Sequence, residues 1–175
     1  MAWTVQPSAT MQIPRRSEPY VTSEMQARWT EVILPRYETR LGSLMPILHD
    51  VQHAYGWIPA QAMEEIATFL EINASQVFDC TSFYEEYHTH PVGEHVIAIC
   101  QSIACEACGH QAIIDHVRGR LGIEPHETTS DGKFTLMALE CLGACDTAPC
   151  ALVNDDRHDN LTIAAIDRII DGLAS

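Results

Sequence analysis

A small bundle of short helices followed by helices packed on a mixed β-sheet is the fold class that three features of this sequence predict. Apolar residues recur at helical spacing from Glu24 to Tyr84, the period changes at Pro91-Val92-Gly93, and the remainder alternates short apolar runs with helical stretches. The 175 residues, 46% of them hydrophobic, can bury one or two cores. The expected organisation is an extended arm over 1–22, a helical bundle over 23–91 and an α/β domain over 92–175.

The arm is predicted from Pro7, Pro14 and Pro19 among polar residues without periodicity. Ala27, Trp29, Val32, Ile33 and Leu34 then form an apolar stripe that runs toward Pro35, predicting a first helix. Ser43 is placed to cap a second helix carrying Leu44, Ile47, Leu48, Val51 and Ala54, which stops at Gly56-Trp57-Ile58-Pro59. A third helix is expected from Ala60 to Glu71 with Ala62, Ile66, Phe69 and Leu70 inward. A fourth starts at Asn73 or Ser75 and continues to about Tyr84, and together they make a small bundle. Trp57, Phe83 and Tyr84 read as core aromatics, with partner docking as the other use for them.

In the second half, His95–Cys100 reads as a short buried strand, and Ala112, Ile113, His116, Val117 and Leu121 mark a helix. Asp131-Gly132 predicts a hairpin turn between residues 124–129 and a strand from Phe134 to Glu140. Ala151-Leu152-Val153 reads as a further strand, and residues 163–173 as a closing amphipathic helix with Ile166, Ile169 and Ile170 on one face. The order is strand, helix, strand, strand, strand, helix.

Charge narrows the partners. Ten Lys and Arg against 24 Asp and Glu leave a net −14, which repels nucleic-acid phosphates and anionic membrane surfaces. No apolar run approaches the roughly 20 residues of a membrane span, and the first twenty residues lack the apolar stretch of a secretory signal. A cytoplasmic protein is expected, without direct membrane insertion. Neither a glycine-rich phosphate loop nor a substrate-activating acid or base stands out.

Seven cysteines, an odd number, cannot all pair, and in a reducing compartment clustered thiols signal metal or redox chemistry. Cys100 ends one predicted strand with Cys105 five residues on; Cys141 ends another with Cys145 four residues on. Two neighbouring strands thus deliver two thiolate pairs to one sheet edge, the donor set an iron-sulfur cluster takes. Other sets stay open on spacing alone. Cys100-x4-Cys105-x2-Cys108 with a distant cysteine fits plant-type ferredoxin spacing. Cys105, Cys108, Cys141 and Cys145 would suit a structural zinc, and Cys105-Glu106-Ala107-Cys108 a thioredoxin-like dithiol before a helix. Cys80, Cys108 and Cys150 read most simply as small buried hydrophobes. His88-Thr89-His90 reads as a polar loop, and a Rieske-type site lacks a histidine beside Cys141 and Cys145.

Cys100-Gln-Ser-Ile-Ala-Cys105 with Gly109, and above all Cys141-Leu-Gly-Ala-Cys-Asp-Thr-Ala-Pro149, resemble the thioredoxin-like [2Fe-2S] ferredoxin subunits typified by the E subunit of bacterial NADH-quinone oxidoreductase, complex I. Leu34-Pro35-Arg36-Tyr37, Leu44-Met-Pro-Ile-Leu48, Gly56-Trp57-Ile58-Pro59 and Thr81-Ser82-Phe83-Tyr84 extend the resemblance over residues 24–173. It implies a thioredoxin-like domain after the bundle and one [2Fe-2S] cluster held by Cys100, Cys105, Cys141 and Cys145. It further implies a one-electron carrier in an NADH-oxidising module, beside a partner subunit that binds FMN and NAD. Similar chains serve NAD-dependent formate dehydrogenases and NAD-linked or electron-bifurcating hydrogenases. Cys108 and Cys150 fall outside the family's ligand pattern. A zinc interaction module and a free ferredoxin are the readings from other classes.

Overall fold

Thr22, in extended backbone, accepts the Met25 amide at 3.2 Å and starts helix α1 (Ser23–Arg28). A computed structural model describes residues 14–174 of the chain, which fall into one unit ending at His90 and a second beginning at Pro91. Residues 14–22 lie along the first unit: Arg15 pairs with Glu64, the Arg16 amide donates to Gln61 at 2.9 Å, and Val21 is buried. The remainder of the predicted arm, residues 1–13, lies outside the described residues.

The predicted first helix is shorter than its apolar stripe. After α1 the chain passes through a π turn (Trp29–Ile33) into a 3-10 turn (Leu34–Arg36), because Pro35 cannot continue the α-helical ladder. That change of winding turns Trp29 and Ile33 inward and leaves Ala27 and Val32 exposed, where the stripe had placed them inside.

Helices α2 (Leu44–Tyr55), α3 (Ala60–Leu70) and α4 (Ala74–Phe83) complete the unit. Ser43 precedes α2 as expected, but its hydroxyl donates to the Arg40 carbonyl instead of capping the helix. Gly56, at a φ of 77°, ends α2 in the left-handed conformation that favours glycine. Asn73 and Gln76 form a reciprocal capping box at the start of α4. The core contains Trp29, Ile47, Leu48, Val51, Ile58, Ile66, Leu70 and Val77. Ala54 is exposed, and so are Phe83 and Tyr84, correcting their assignment to the core; Trp57 is half-buried.

The second unit holds a four-stranded sheet in the order β2-β1-β3-β4, formed by β1 (His95–Cys100), β2 (Phe134–Leu139), β3 (Ala151–Val153) and β4 (Asp156–His158). β1 and β2 run parallel, with Cys100 opposite Leu139, whereas β3 is antiparallel to β1 and β4 to β3. Helices α5 (Ile103–Ala107), α6 (His110–Leu121) and α7 (Ile163–Ala174) accompany it. Ile97, Ile99, Val117, Leu136, Ile166 and Ile170 are central to a core separate from that of the bundle. Gly93 is required by close approach, since a Cβ there would meet the Phe134 backbone at 2.8 Å.

The predicted turn at Asp131-Gly132 forms, with the Gly132 amide donating to Thr129, but residues 124–129 make a single antiparallel bridge, Thr128 to Thr135, instead of a strand. The fourth strand is β4, which folds back on β3 through Asn154 at a φ of 53°. β4 is short and charged, as edge strands often are, so it carries no apolar alternation to read.

Candidate metal centre

Parallel pairing of β1 and β2 brings their C-terminal ends to the same edge of the sheet. Cys100 closes β1, α5 begins three residues later, and its first turn carries Cys105 into the interior. Cys141 follows β2 by two residues and opens the loop that returns through Cys145. β3 runs the opposite way to β1, so its start reaches this edge as well. Cys150, immediately before β3, accepts the Cys100 amide at 3.1 Å through its carbonyl.

The sulfurs of Cys100, Cys105 and Cys150 lie within 4.8 Å of one another, all three residues buried. Cys105 and Cys150 approach to 3.9 Å, and the exposed pair Cys141 and Cys145 to 3.7 Å. Two sulfurs on one tetrahedral metal, with bonds of about 2.3 Å, lie about 3.8 Å apart. Ala144, between the second pair, packs with Cys100, Cys105 and Cys150 in a small apolar cluster that Leu142 and Ala148 extend. Two loops and the start of β3 thus surround one place.

Backbone amides face these sulfurs. Gly143 donates to Cys141 Sγ at 3.4 Å from a φ of 75°, a left-handed conformation in which a side chain would be strained. Burial pushes the Cys100 thiol up, but hydrogen bonds from the Leu142 and Ser102 amides, with further contacts from the Cys105 and Cys150 side chains, outweigh it and bring its pKa below the ordinary value. Cys105 is raised, chiefly by burial, although the Cys150 amide hydrogen-bonds its sulfur and opposes the rise. Burial and the neighbouring Cys105 sulfur push Cys150 up to about 12. Contact with Cys141, followed by its charge, raises Cys145, and more distant charge on Cys105 and Cys100 adds to this.

Mutual repulsion between neighbouring thiolates adds to burial at Cys105 and Cys150 and, with the contact from Cys141, raises Cys145, whereas hydrogen bonds lower Cys100. The thiols are too close to ionise together unless a cation sits among them. With soft sulfur donors, Cys105 with Cys150 and Cys141 with Cys145 at single-metal spacing, Cys100 within 4.8 Å of the first of these pairs, and amide donors already aimed at sulfur, the residues fit an iron-sulfur cluster. The two pairs differ in shielding from water: Cys141 and Cys145 are exposed, while Cys100 and Cys105 are buried.

The remaining cysteines separate clearly. Cys108 is exposed at the end of α5, correcting its assignment as a buried hydrophobe, and does not join the close sulfur group. Cys80 is half-buried against the bundle core, and burial raises its pKa. Cys150 is buried as expected, but against sulfur, so packing is not its whole surroundings. The signal that could have found it is its position directly before an apolar run. Once that run is antiparallel to β1, its first residue must fall beside the last residue of β1.

Residues 30–174 match the thioredoxin-like [2Fe-2S] ferredoxin family. Among curated relatives, the NADH-quinone oxidoreductase E subunit 2 of Rhizobium meliloti is 38% identical over 141 residues, covering 81% of this chain and 84% of the relative. The NADH-quinone oxidoreductase E subunit of Escherichia coli is 35% identical over 156 residues, covering 89% of this chain and 94% of the relative. Among solved structures, an NAD+-reducing [NiFe]-hydrogenase in its air-oxidized state superposes with a TM-score of 0.65 at 27% identity, over 75% of this chain but 22% of the hydrogenase chain. The match begins at residue 30 in the bundle and runs past both cysteine loops into α7, so this chain belongs to the thioredoxin-like [2Fe-2S] ferredoxin family.

Proposed function

We propose that this chain holds one [2Fe-2S] cluster on Cys100, Cys105, Cys141 and Cys145 and is the electron-transfer subunit of an NADH-quinone oxidoreductase, docked beside the subunit that binds FMN and NADH in the cytoplasm. The observation that carries this reading is the pairing of loops: two cysteine loops meet at one sheet edge, in a chain that aligns with the E subunits of such oxidoreductases over 84–94% of the relatives' length.

When bound, such a cluster takes up and releases one electron at a time. The chain's own contribution is position and polarity. Cys100 and Cys105 anchor one side from the interior, and Cys141 and Cys145 hold the other from an exposed loop. Amides of Ser102, Leu142, Gly143 and Cys150 hydrogen-bond the cysteine sulfurs. Donors of this kind stabilise negative charge on sulfur and raise the potential, whereas the net −14 of the chain opposes an added electron. Exposed Cys141 and Cys145 give electrons a short path to a partner's surface. Ile103, 81% exposed and two residues before Cys105, is an apolar side chain that a docked subunit would cover. Among the described residues no helix is long and apolar enough to cross a membrane, so attachment to a quinone-reducing membrane arm would run through partners.

An equivalent subunit of an NAD+-reducing hydrogenase is the second reading, favoured by the structural likeness at 27% identity. The oxidoreductase relatives are closer in sequence, at 33–38%. The two separate on coexpression with the flavin subunit of either kind of assembly. NADH should reduce the cluster, seen by electron paramagnetic resonance, only when the flavin subunit is present, and the native assembly should pass those electrons to quinone. An assembly that instead evolves or consumes hydrogen supports the second reading, and a chain that NADH never reduces in any assembly contradicts both.

A further inference from the structure

The inner half of the centre has one thiol more than the proposed ligand set uses. Among the described residues, Cys100, Cys105 and Cys150 form a group of three potential metal donors, whereas Cys141 and Cys145 have no third sulfur at that range. The 3.9 Å between Cys105 and Cys150 matches the roughly 3.8 Å spacing of two sulfurs sharing a tetrahedral metal. A residue that only filled space here could be Ala or Val.

Cys150 is also held rigidly. Its carbonyl takes the Cys100 amide at 3.1 Å, its amide hydrogen-bonds Cys105 Sγ, and the preceding Pro149 carbonyl accepts the Leu161 amide at 2.7 Å. The backbone that carries it is therefore tied to β1, to the α5 cysteine and to the segment before α7. Burial keeps competing solvent ligands away from its sulfur.

We propose that Cys150 is a reserve ligand: if Cys100 or Cys105 is lost, its sulfur takes the vacated position on the same metal. A thiolate replaces a thiolate, so the donor count and the charge of the centre are kept, and the thiol proton leaves to solvent. The exposed side has no such substitute. This rests on the cluster assignment made above.

The test uses the full chain, produced and purified anaerobically, with iron, acid-labile sulfide, visible circular dichroism and the electron paramagnetic resonance of the reduced state as readouts. The unsubstituted chain and Cys150→Ala should both contain the complete cluster. Cys105→Ala should keep iron and sulfide at the parent ratio with a shifted spectrum, because the new sulfur approaches from a different backbone position. Cys105→Ala/Cys150→Ala should fall to background. Cys100→Ala, with and without Cys150→Ala, repeats the comparison should the Cys105 variants fail to fold by far-ultraviolet circular dichroism. The proposal is overturned if each single ligand variant is as empty as its double, if the doubles keep the cluster, or if Cys150→Ala alone loses it. An unsubstituted chain that takes up no iron and sulfide overturns the cluster assignment instead, which keeps the two failures distinct.

Discussion

The two cysteine pairs leave neighbouring parallel strands at the same edge, yet they occupy opposite environments. Cys100 and Cys105 are buried, the second drawn inward by α5, with a third sulfur alongside. Cys141 and Cys145 are exposed on a loop whose geometry depends on Gly143. One sheet edge can thus separate two tasks. On the assignment proposed above, the inner pair would supply burial and redundancy, and the outer pair access for electrons with less protection.

Removing a sulfur from the outer side should set the two pairs apart most sharply. Cys145→Ala leaves Cys141 without a partner at 3.7 Å and with no third thiol at that range, so the cluster should be lost outright, with iron and sulfide at background. Retention of a full cluster in that variant would show that the outer pair is not the second half of the site. Differential alkylation of the cluster-free chain comes next. Iodoacetamide should label Cys108, Cys141 and Cys145 in the folded state and leave Cys100, Cys105 and Cys150 until denaturant is added, as peptide mass spectrometry would read. Uniform labelling of all six would contradict the contrast in burial.

A smaller effect is expected at Gly143. Ala in its left-handed conformation is disfavoured by about 1–2 kcal/mol, which shifts the loop and weakens the amide contact to Cys141 Sγ. Gly143→Ala should therefore lose its cluster faster on exposure to a chelator while the bundle melts as before. Equal loss rates would mean that the turn does not hold the outer pair. Smallest of all is Cys108→Ser, which should leave iron content and spectrum unchanged because that sulfur stands outside the close group. Loss of the cluster there would favour the plant-type ligand set.

Much of this contrast is legible in the sequence, and its gaps have physical causes. The spacing of Cys100 from Cys105 and of Cys141 from Cys145, each pair opening where a strand ends, needs only the apolar runs before them. Asn73, Gly56 and the stripe through Ile47, Leu48 and Val51 mark the helices by local chemistry. Val32 misleads because a π turn followed by a proline changes the helical period, and periodicity presumes a constant one. Phe83 misleads because an aromatic at a helix end has the same composition whether it faces a core or a partner. Cys150 escapes detection for a topological reason: its place beside Cys105 depends on β3 running antiparallel to β1, and strand direction leaves no mark in a three-residue run. The fourth strand is misplaced on similar grounds, since Asp156–His158 has no apolar face.

Whether the four cysteines hold a [2Fe-2S] cluster is read straight from the metal and sulfide content of the anaerobically purified chain, together with its visible spectrum. The expected result is a red-brown protein with two irons and two acid-labile sulfides per chain, reducible by one electron. A colourless protein with one zinc and no sulfide would contradict it.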